Sequence, residues 1–262
     1  MQTPSKAIIL GCGSSGGVPS LGVEGPYWGD CDPLNPKNTR TRASFYVEYA
    51  SGQKILIDTS PDLRQQYIHN RLNNLTAVVY SHDHADHTHG IDELRSLFFA
   101  RELNVIPAYA DIHTLESIRS RFSYLFQPKL HIYPVVLEGK EFEAGIFNVE
   151  GVEIEAIEQG HGDNQRSFGF RFGRIAYSTD FNHLDDQALE SYQDLDLWIV
   201  DCLSYDLKKT HNHLDLTLHW INQVKPKKAV LTHMNATLDY ERLKKQLPDN
   251  IEPAYDGLTF HF

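Results

Sequence analysis

Six ligand-type side chains, His82, Asp83, His84, Asp86, His87 and His89, crowd the stretch VVYSHDHADHTHG from Val78 to Gly90. The apolar run TAVVY leading into it reads as a buried strand, so any fold of this chain must end a core strand here. His82 and His84 sit two apart where that strand runs out, and extended backbone points both imidazoles to the same side. A tight turn at the small Ala85 then aims Asp86 and His87 at a second point nearby. Imidazole nitrogen and carboxylate oxygen suit Zn²⁺, Mn²⁺ or Fe²⁺, and no thiolate lies close in sequence. The H-x-H-x-D-H spacing therefore predicts a metal site. A solvated polar loop would leave unexplained why a buried strand delivers it.

Three further strand ends carry one ligand-type residue each: His161 in EQGHGD, Asp180 in AYSTDF and His233 in AVLTHM. Folds of the α/β class gather sites at the carboxyl ends of their strands, so these three join the cluster as candidate ligands. Strands are expected at 7–10, 44–49, 54–59, 105–110, 152–158, 166–172, 174–178, 197–200 and 228–233. Helices are expected after Ser60 as cap with Pro61 in first position, over 91–103, 111–122 and about 215–224, and near 237–247 at the close of the chain. Helices alternating with strands, with several hairpins among them, predict a mixed α/β sandwich rather than a purely parallel sheet.

Charge narrows the function. A net charge of −11 over 262 residues repels long polyanions, so stable nucleic-acid binding, which rests on phosphate neutralisation, is not expected. A small anionic substrate stays compatible, because bound cations reverse the sign inside a pocket. No apolar run approaches the roughly 20 residues of a membrane span, and the apolar stretch Ala7–Leu10 is too short for a signal-peptide core. No membrane partner and a cytoplasmic location are expected. Cys12, Cys31 and Cys202 stand far apart and read as free or buried thiols of a reducing compartment.

In order and spacing, His82, His84, Asp86, His87, His161, Asp180 and His233 resemble the ligand set of the metallo-β-lactamase superfamily. The resemblance implies a four-layer αββα sandwich, α/β in class, as a single domain over 1–262. It implies two divalent metal ions, Zn²⁺ or Mn²⁺: His82, His84 and His161 at the first, Asp86, His87 and His233 at the second, and Asp180 bridging them with a water or hydroxide. A bridging Asp rather than Cys looks like the phosphodiesterase and glyoxalase branches.

The opening ILGCGSSGGVPSLG contains G-x-G-x-x-G after a strand, at Gly11, Gly13 and Gly16. Glycine and proline follow where a nucleotide-binding fold needs a helix, so that reading fails. The stretch is expected as a turn over the active-site edge, with backbone amides at Ser14 and Ser15 in reach of a phosphate. Together with CDPLNPKNTRTRAS and DHTHGIDELR it resembles the PhnP-like cyclic phosphodiesterases, and more distantly the transfer-RNA 3′-processing endonucleases. That implies hydrolysis of small cyclic or nucleotide phosphodiesters, with RNA 3′ processing or thioester or lactone hydrolysis as alternatives, and a possible homodimer. The founding enzyme's Cys-x-Cys-x-x-Cys zinc clip is reduced here to Cys31, which puts a third zinc in doubt.

The KKTHNHLDL segment supplies a candidate general acid. His213 resembles the family position, with Asp215 to orient it and His211 as competitor; Asp86 completes the catalytic set. Lys37, Arg40 and Arg42 form a basic cluster that either contacts a phosphate or pairs with carboxylates. Asp83 and His89 are expected to orient the ligating imidazoles from outside. His69, His113, His131, His183, His219 and His261 are read as surface or core residues.

Overall fold

Two seven-stranded sheets organise the computed structural model, which describes residues 1–100, 104–127, 134–163 and 165–262. The first sheet runs, in spatial order, Leu258–His261, Lys6–Gly11, Ser44–Glu48, Lys54–Ile57, Ala77–Val79, Ile106–Ala110 and Leu137–Glu141. The second runs Ile251–Pro253, Lys228–Thr232, Leu197–Asp201, Ile175–Ser178, Arg166–Phe172, Val152–Gly160 and Gly145–Val149. Each sheet is antiparallel at one side and parallel at the other.

Successive residues of a strand face opposite sides of a sheet, and here both sides are buried. In the first sheet Ile8, Tyr46, Leu56 and Val78 pack with Leu63, Tyr67, Leu94, Phe98, Leu115 and Ile118 from the flanking helical segments. Their strand neighbours Ile9, Phe45, Val47, Ile55, Ile57 and Val79 pack with Ile154, Phe170 and Tyr177 of the second sheet. Double burial explains why these strands read as continuous apolar runs rather than alternating ones. Helices Asp186–Ser191, Leu214–Val224 and Tyr240–Lys244 add Ala188, Trp220, Ile221, Val224 and Leu243 to the same core. The result is the α/β sandwich of the metallo-β-lactamase fold. Among the described residues no helix is long and apolar enough to cross a membrane.

Four strands of the two large sheets escape the sequence reading: Leu137–Glu141, Gly145–Val149, Ile251–Pro253 and Leu258–His261. All four are sheet edges, and edge strands keep polar residues such as those of LEGKE on their open side, so no apolar run announces them. The first helix starts at Leu63, with Asp62 and not Ser60 in the cap position. Ser60 is buried, its hydroxyl accepting from the Asp62 amide and donating to Gln66. The helix expected over 91–103 divides into a 3-10 turn, Ile91–Glu93, and an α-helix, Leu94–Ala100. Its expected end at 101–103, and His131, lie outside the described residues.

The histidine loop is seated on the first sheet by close approach. The Gly90 amide donates to Thr59 O at 2.9 Å, and a Cβ at Gly90 would collide with Ser60 O, so only glycine fits there. At the sandwich centre Phe45 and Tyr177 stack with ring centroids 4.8 Å apart. Phe45→Ala is expected to cost about 3–5 kcal/mol of stability by cavity formation, read as a lowered denaturation midpoint with unchanged m-value.

Candidate metal centre and active site

Strand ends from both sheets meet at one edge. Asp58 follows Lys54–Ile57, His82 and His84 follow Ala77–Val79, and His87 lies in the single turn Ala85–Thr88. From the second sheet come His161 after Val152–Gly160, Asp180 after Ile175–Ser178, Asp201 at the end of Leu197–Asp201, and His233 after Lys228–Thr232. Asp58, Asp180 and His233 hold φ of 63°, 54° and 59°. Such left-handed backbone is uncommon outside glycine and costs of order 1–3 kcal/mol per residue. The chain reverses there at once after each strand, and the side chain turns in toward the site.

Asp180 is the meeting point. Its Oδ1 lies 3.2 Å from His87 Nε2 and 3.4 Å from His233 Nε2. Its Oδ2 lies 3.7 Å from His82 Nε2 and 3.9 Å from His161 Nε2. Asp86 Oδ2 stands 3.4 Å from His87 Nε2 and 3.6 Å from His233 Nε2, while His84 Nδ1 stands 3.4 Å from His161 Nε2. Three overlapping groups result among the described residues, His82–His84–His161–Asp180, Asp86–His87–Asp180–His233 and Asp180–Asp201–His211–His233, and the candidate ligand atoms of each lie within 4.8 Å of one another. The Nε2 atoms of His82, His87 and His233 are buried without an aligned hydrogen-bond partner. Buried polar atoms are normally paired, so orphaned nitrogens converging on a shared carboxylate fit a pair of divalent cations.

The other nitrogen of His82, His87, His161 and His233 is held from behind, that of His82 by Ser81 Oγ at 3.0 Å. Asp58, fully buried, accepts from the Ser81 amide and hydroxyl, both at 2.7 Å, and faces His87 Nδ1 at 2.8 Å. Asp201 Oδ1 faces His233 Nδ1 at 3.3 Å, and His161 Nδ1 meets Thr210 O at 2.8 Å. The expectation that Asp83 and His89 orient the ligands is corrected: both turn to the helix Ile112–Arg121. Asp83 accepts from Ser117 Oγ at 2.6 Å, and His89 Nε2 lies 3.2 Å from the Arg121 guanidinium. Asp58 and Asp201 went unread in the sequence. Their signal was present, since each is an aspartate ending an apolar strand, in KILIDT and LWIVD.

Burial holds the imidazoles of His82, His84 and His161 below the ordinary value, helped by neighbouring histidines. They are neutral ligands at pH 7. Burial pushes His87 and His233 the same way, but carboxylates outweigh it. Asp180, Asp86 and Asp58 raise His87 well above the usual range, and Asp180, Asp201 and Asp86 raise His233 to about 10. In return, those imidazoles hold Asp180 and Asp86 well below the ordinary carboxylate value despite burial.

His211 approaches this centre. Its Nδ1 lies 3.8 Å from Asp180 Oδ2 and 3.8 Å from Asp201 Oδ2, and its ring stacks on His233 at 4.9 Å. His213 occupies the cap position of Leu214–Val224, its carbonyl accepting from Thr217 N, and Asp215 is exposed in the first turn without a bond to it. The two histidines flank one residue, Asn212, whose amide donates to Asp201 at 2.9 Å.

Within the basic cluster, Arg42 follows the carboxylate-pairing alternative. Arg40 is 1% exposed and donates to the carbonyls of Asn235 and Leu238. Arg42 pairs with Asp62 at 2.7 Å, and Lys37 donates to Tyr240 and stands over two tyrosine rings. The Ser14 amide donates to Met234 O, next to His233, while Ser15 is exposed. His113, exposed as expected, lines the cavity beside His82 and His84.

Residues 53–234 match the family model of the β-lactamase superfamily domain. The chain is 32% identical to a diphosphatase of the PhnP family, with 98% of this chain and 97% of that one covered and a TM-score of 0.88. Zn²⁺-bound PqqB from Methylobacterium extorquens is 18% identical, with 98% and 100% covered and a TM-score of 0.73. The short form of human tRNase Z is 16% identical, with 97% and 98% covered and a TM-score of 0.65. These last two bear on the fold alone. A curated octanoyltransferase of Porphyromonas gingivalis is 32% identical over 257 residues, 97% of this chain, and the chain spans about half, 51%, of its length.

Two outcomes follow from the charges. Metal ligands must be deprotonated, so loading divalent cations at pH 7 is expected to release about two protons per chain, from His87 and His233, read by calorimetry in buffers of different ionisation enthalpy. His233, at about 10 in the fold, lies above its unfolded value of about 6.5. Its contribution to the metal-free fold is therefore complete below pH 6.5 and lost as pH rises toward 10. The melting temperature of the chelator-treated protein should fall over that interval. Removing the carboxylate behind His87 in Asp58→Ala is expected to weaken metal affinity about 10–100-fold, measured by chelator competition.

Proposed function

Since the chain belongs to the β-lactamase superfamily, we propose that it is a metal-dependent hydrolase that cleaves small phosphodiesters or phosphoanhydrides, cyclic and nucleotide esters among them. The observation that carries this reading is the divided carboxylate of Asp180, with His87 and His233 on one oxygen, His82 and His161 on the other, and His211 against the second. Likeness to a PhnP-family diphosphatase over nearly the whole of both chains supports the PhnP-like branch.

His82, His84 and His161 would hold one cation, Asp86, His87 and His233 the other, and Asp180 both. Zn²⁺ and Mn²⁺ each suit this nitrogen and oxygen set. Bound there, such ions supply electrophilic stabilisation of phosphoryl oxygens and acidify water near neutral pH. The chain's own residues do the rest. Asp58 and Asp201 fix the tautomers of His87 and His233 by holding their Nδ1 protons. The Asp201 carboxylate also faces His211 Nδ1, which leaves His211 Nε2 as the atom that gives a proton to the leaving oxygen. His213, at the cap of its helix, has no such partner.

A panel of 2′,3′-cyclic nucleotides, dinucleoside diphosphates, a structured RNA 3′ end and an acyl thioester, run with Zn²⁺ and with Mn²⁺, tests the reading. Turnover of the small phosphoesters is expected, with His211→Ala lowering kcat about 10²–10⁴-fold on alkoxide leaving groups and His213→Ala having the smaller effect. Absence of phosphoester cleavage with either metal overturns it. Thioester cleavage that survives His211→Ala would assign acyl hydrolysis instead.

A further inference from the structure

A cavity of about 540 Å³ opens beside the first group, with His82, His84 and His161 on its near wall. None of Asp86, His87 and His233 lines it. The buried Nε2 of His82, which lacks an aligned partner, belongs to this wall. The space lies in the usual range for small-molecule sites and begins where the reacting phosphate would end.

The far wall is built around Arg166. Its guanidinium lies 3.0 Å from Asp111 Oδ2 and 3.2 Å from Glu158 Oε2, and stands 5.6 Å above the Phe168 ring. Asp111 is buried and its other oxygen accepts from the Thr114 amide at 3.2 Å, which anchors the wall to the helix Ile112–Arg121. Glu158 is half exposed, at 52% of its side chain. Two carboxylates against one guanidinium leave this wall one negative charge in excess. Asp83, also on the cavity, is answered by Arg121 at 3.6 Å.

An isolated arginine here would anchor a second phosphate. With both arms of the guanidinium engaged by carboxylates, the wall repels one. A half-exposed carboxylate retains acceptor sites beyond those it gives to Arg166, and hydroxyl groups are the donors that suit them. We propose that this cavity is the subsite for the part of the substrate beyond the scissile phosphate. Its Asp111–Arg166–Glu158 wall selects a neutral, hydroxyl-bearing group such as a nucleoside sugar and excludes a further phosphate. Glu158 is the specificity-determining residue. The proposal rests on the phosphoester reading for the reacting end of the substrate.

The test compares adenosine 2′,3′-cyclic phosphate carrying a free 5′-hydroxyl with the same compound carrying a 5′-phosphate. The metal-loaded protein should favour the hydroxyl form about tenfold in kcat/KM, and Glu158→Lys should abolish or reverse the preference. Glu158→Gln, which removes the charge and keeps the shape, should fall between them. A parallel calorimetric arm ranks adenosine 3′-phosphate against adenosine 3′,5′-bisphosphate on the same proteins and should give the same order. No preference in the wild-type chain, or one unmoved by Glu158→Lys, overturns the subsite. If neither cyclic compound is cleaved, the phosphoester reading fails, and the binding order still decides the subsite.

Discussion

A fully buried aspartate among five imidazoles is the constraint on which this site depends. Asp180 is 1% exposed, and burying an unpaired carboxylate is prohibitive. His87 and His233 answer Oδ1, while His82, His161 and His211 surround Oδ2. Without a cation, the compensating charge sits as protons on His87 and His233, which carboxylates raise against the effect of burial. Divalent cations would replace those protons with charges held at the same place. One group of neutral imidazoles and one group of proton-laden ones thus share a single carboxylate, and the two halves of the centre are electrostatically unlike before any cation arrives.

The fold exists around that arrangement in a literal sense. Antiparallel and parallel halves of two sheets bring the ends of strands Lys54–Ile57, Ala77–Val79, Ile175–Ser178, Leu197–Asp201 and Lys228–Thr232 to one edge. Left-handed backbone at Asp58, Asp180 and His233 turns the chain there, a local cost accepted because the double-sided core of each sheet leaves the strands no other course. Behind the ligands, Asp58 joins Ser81 to His87 and Asp201 joins Asn212 to His233. These two aspartates sit one in each sheet. They hold corresponding positions behind one imidazole each of the Asp86–His87–His233 group.

Much of this was legible in the chain. The loop from His82 to His87, and the lone His161, Asp180 and His233 after apolar runs, marked the candidate ligands by local pattern alone. Strands with both faces buried were recognisable for the same reason, as continuous apolar runs. The edge strands Leu137–Glu141 and Leu258–His261 were not, because an edge is defined by the neighbour it lacks. Sequence leaves the basic residues 37–42 between two readings: it shows three positive charges together but not that Arg40 is enclosed by the carbonyls of Asn235 and Leu238.

Residue type and spacing, which are local, determined that this chain presents imidazoles and carboxylates at strand ends in two sets. Only the tertiary structure decided which carboxylate stands behind which imidazole, that His211 turns to Asp180, and that Arg166 is neutralised. Each of these is a contact between residues far apart in the chain: Asp58 with His87, Asp180 with His211, Asp111 with Arg166. Such contacts exist only once two sheets have packed, and burial then sets the charge that every group at their shared edge can carry.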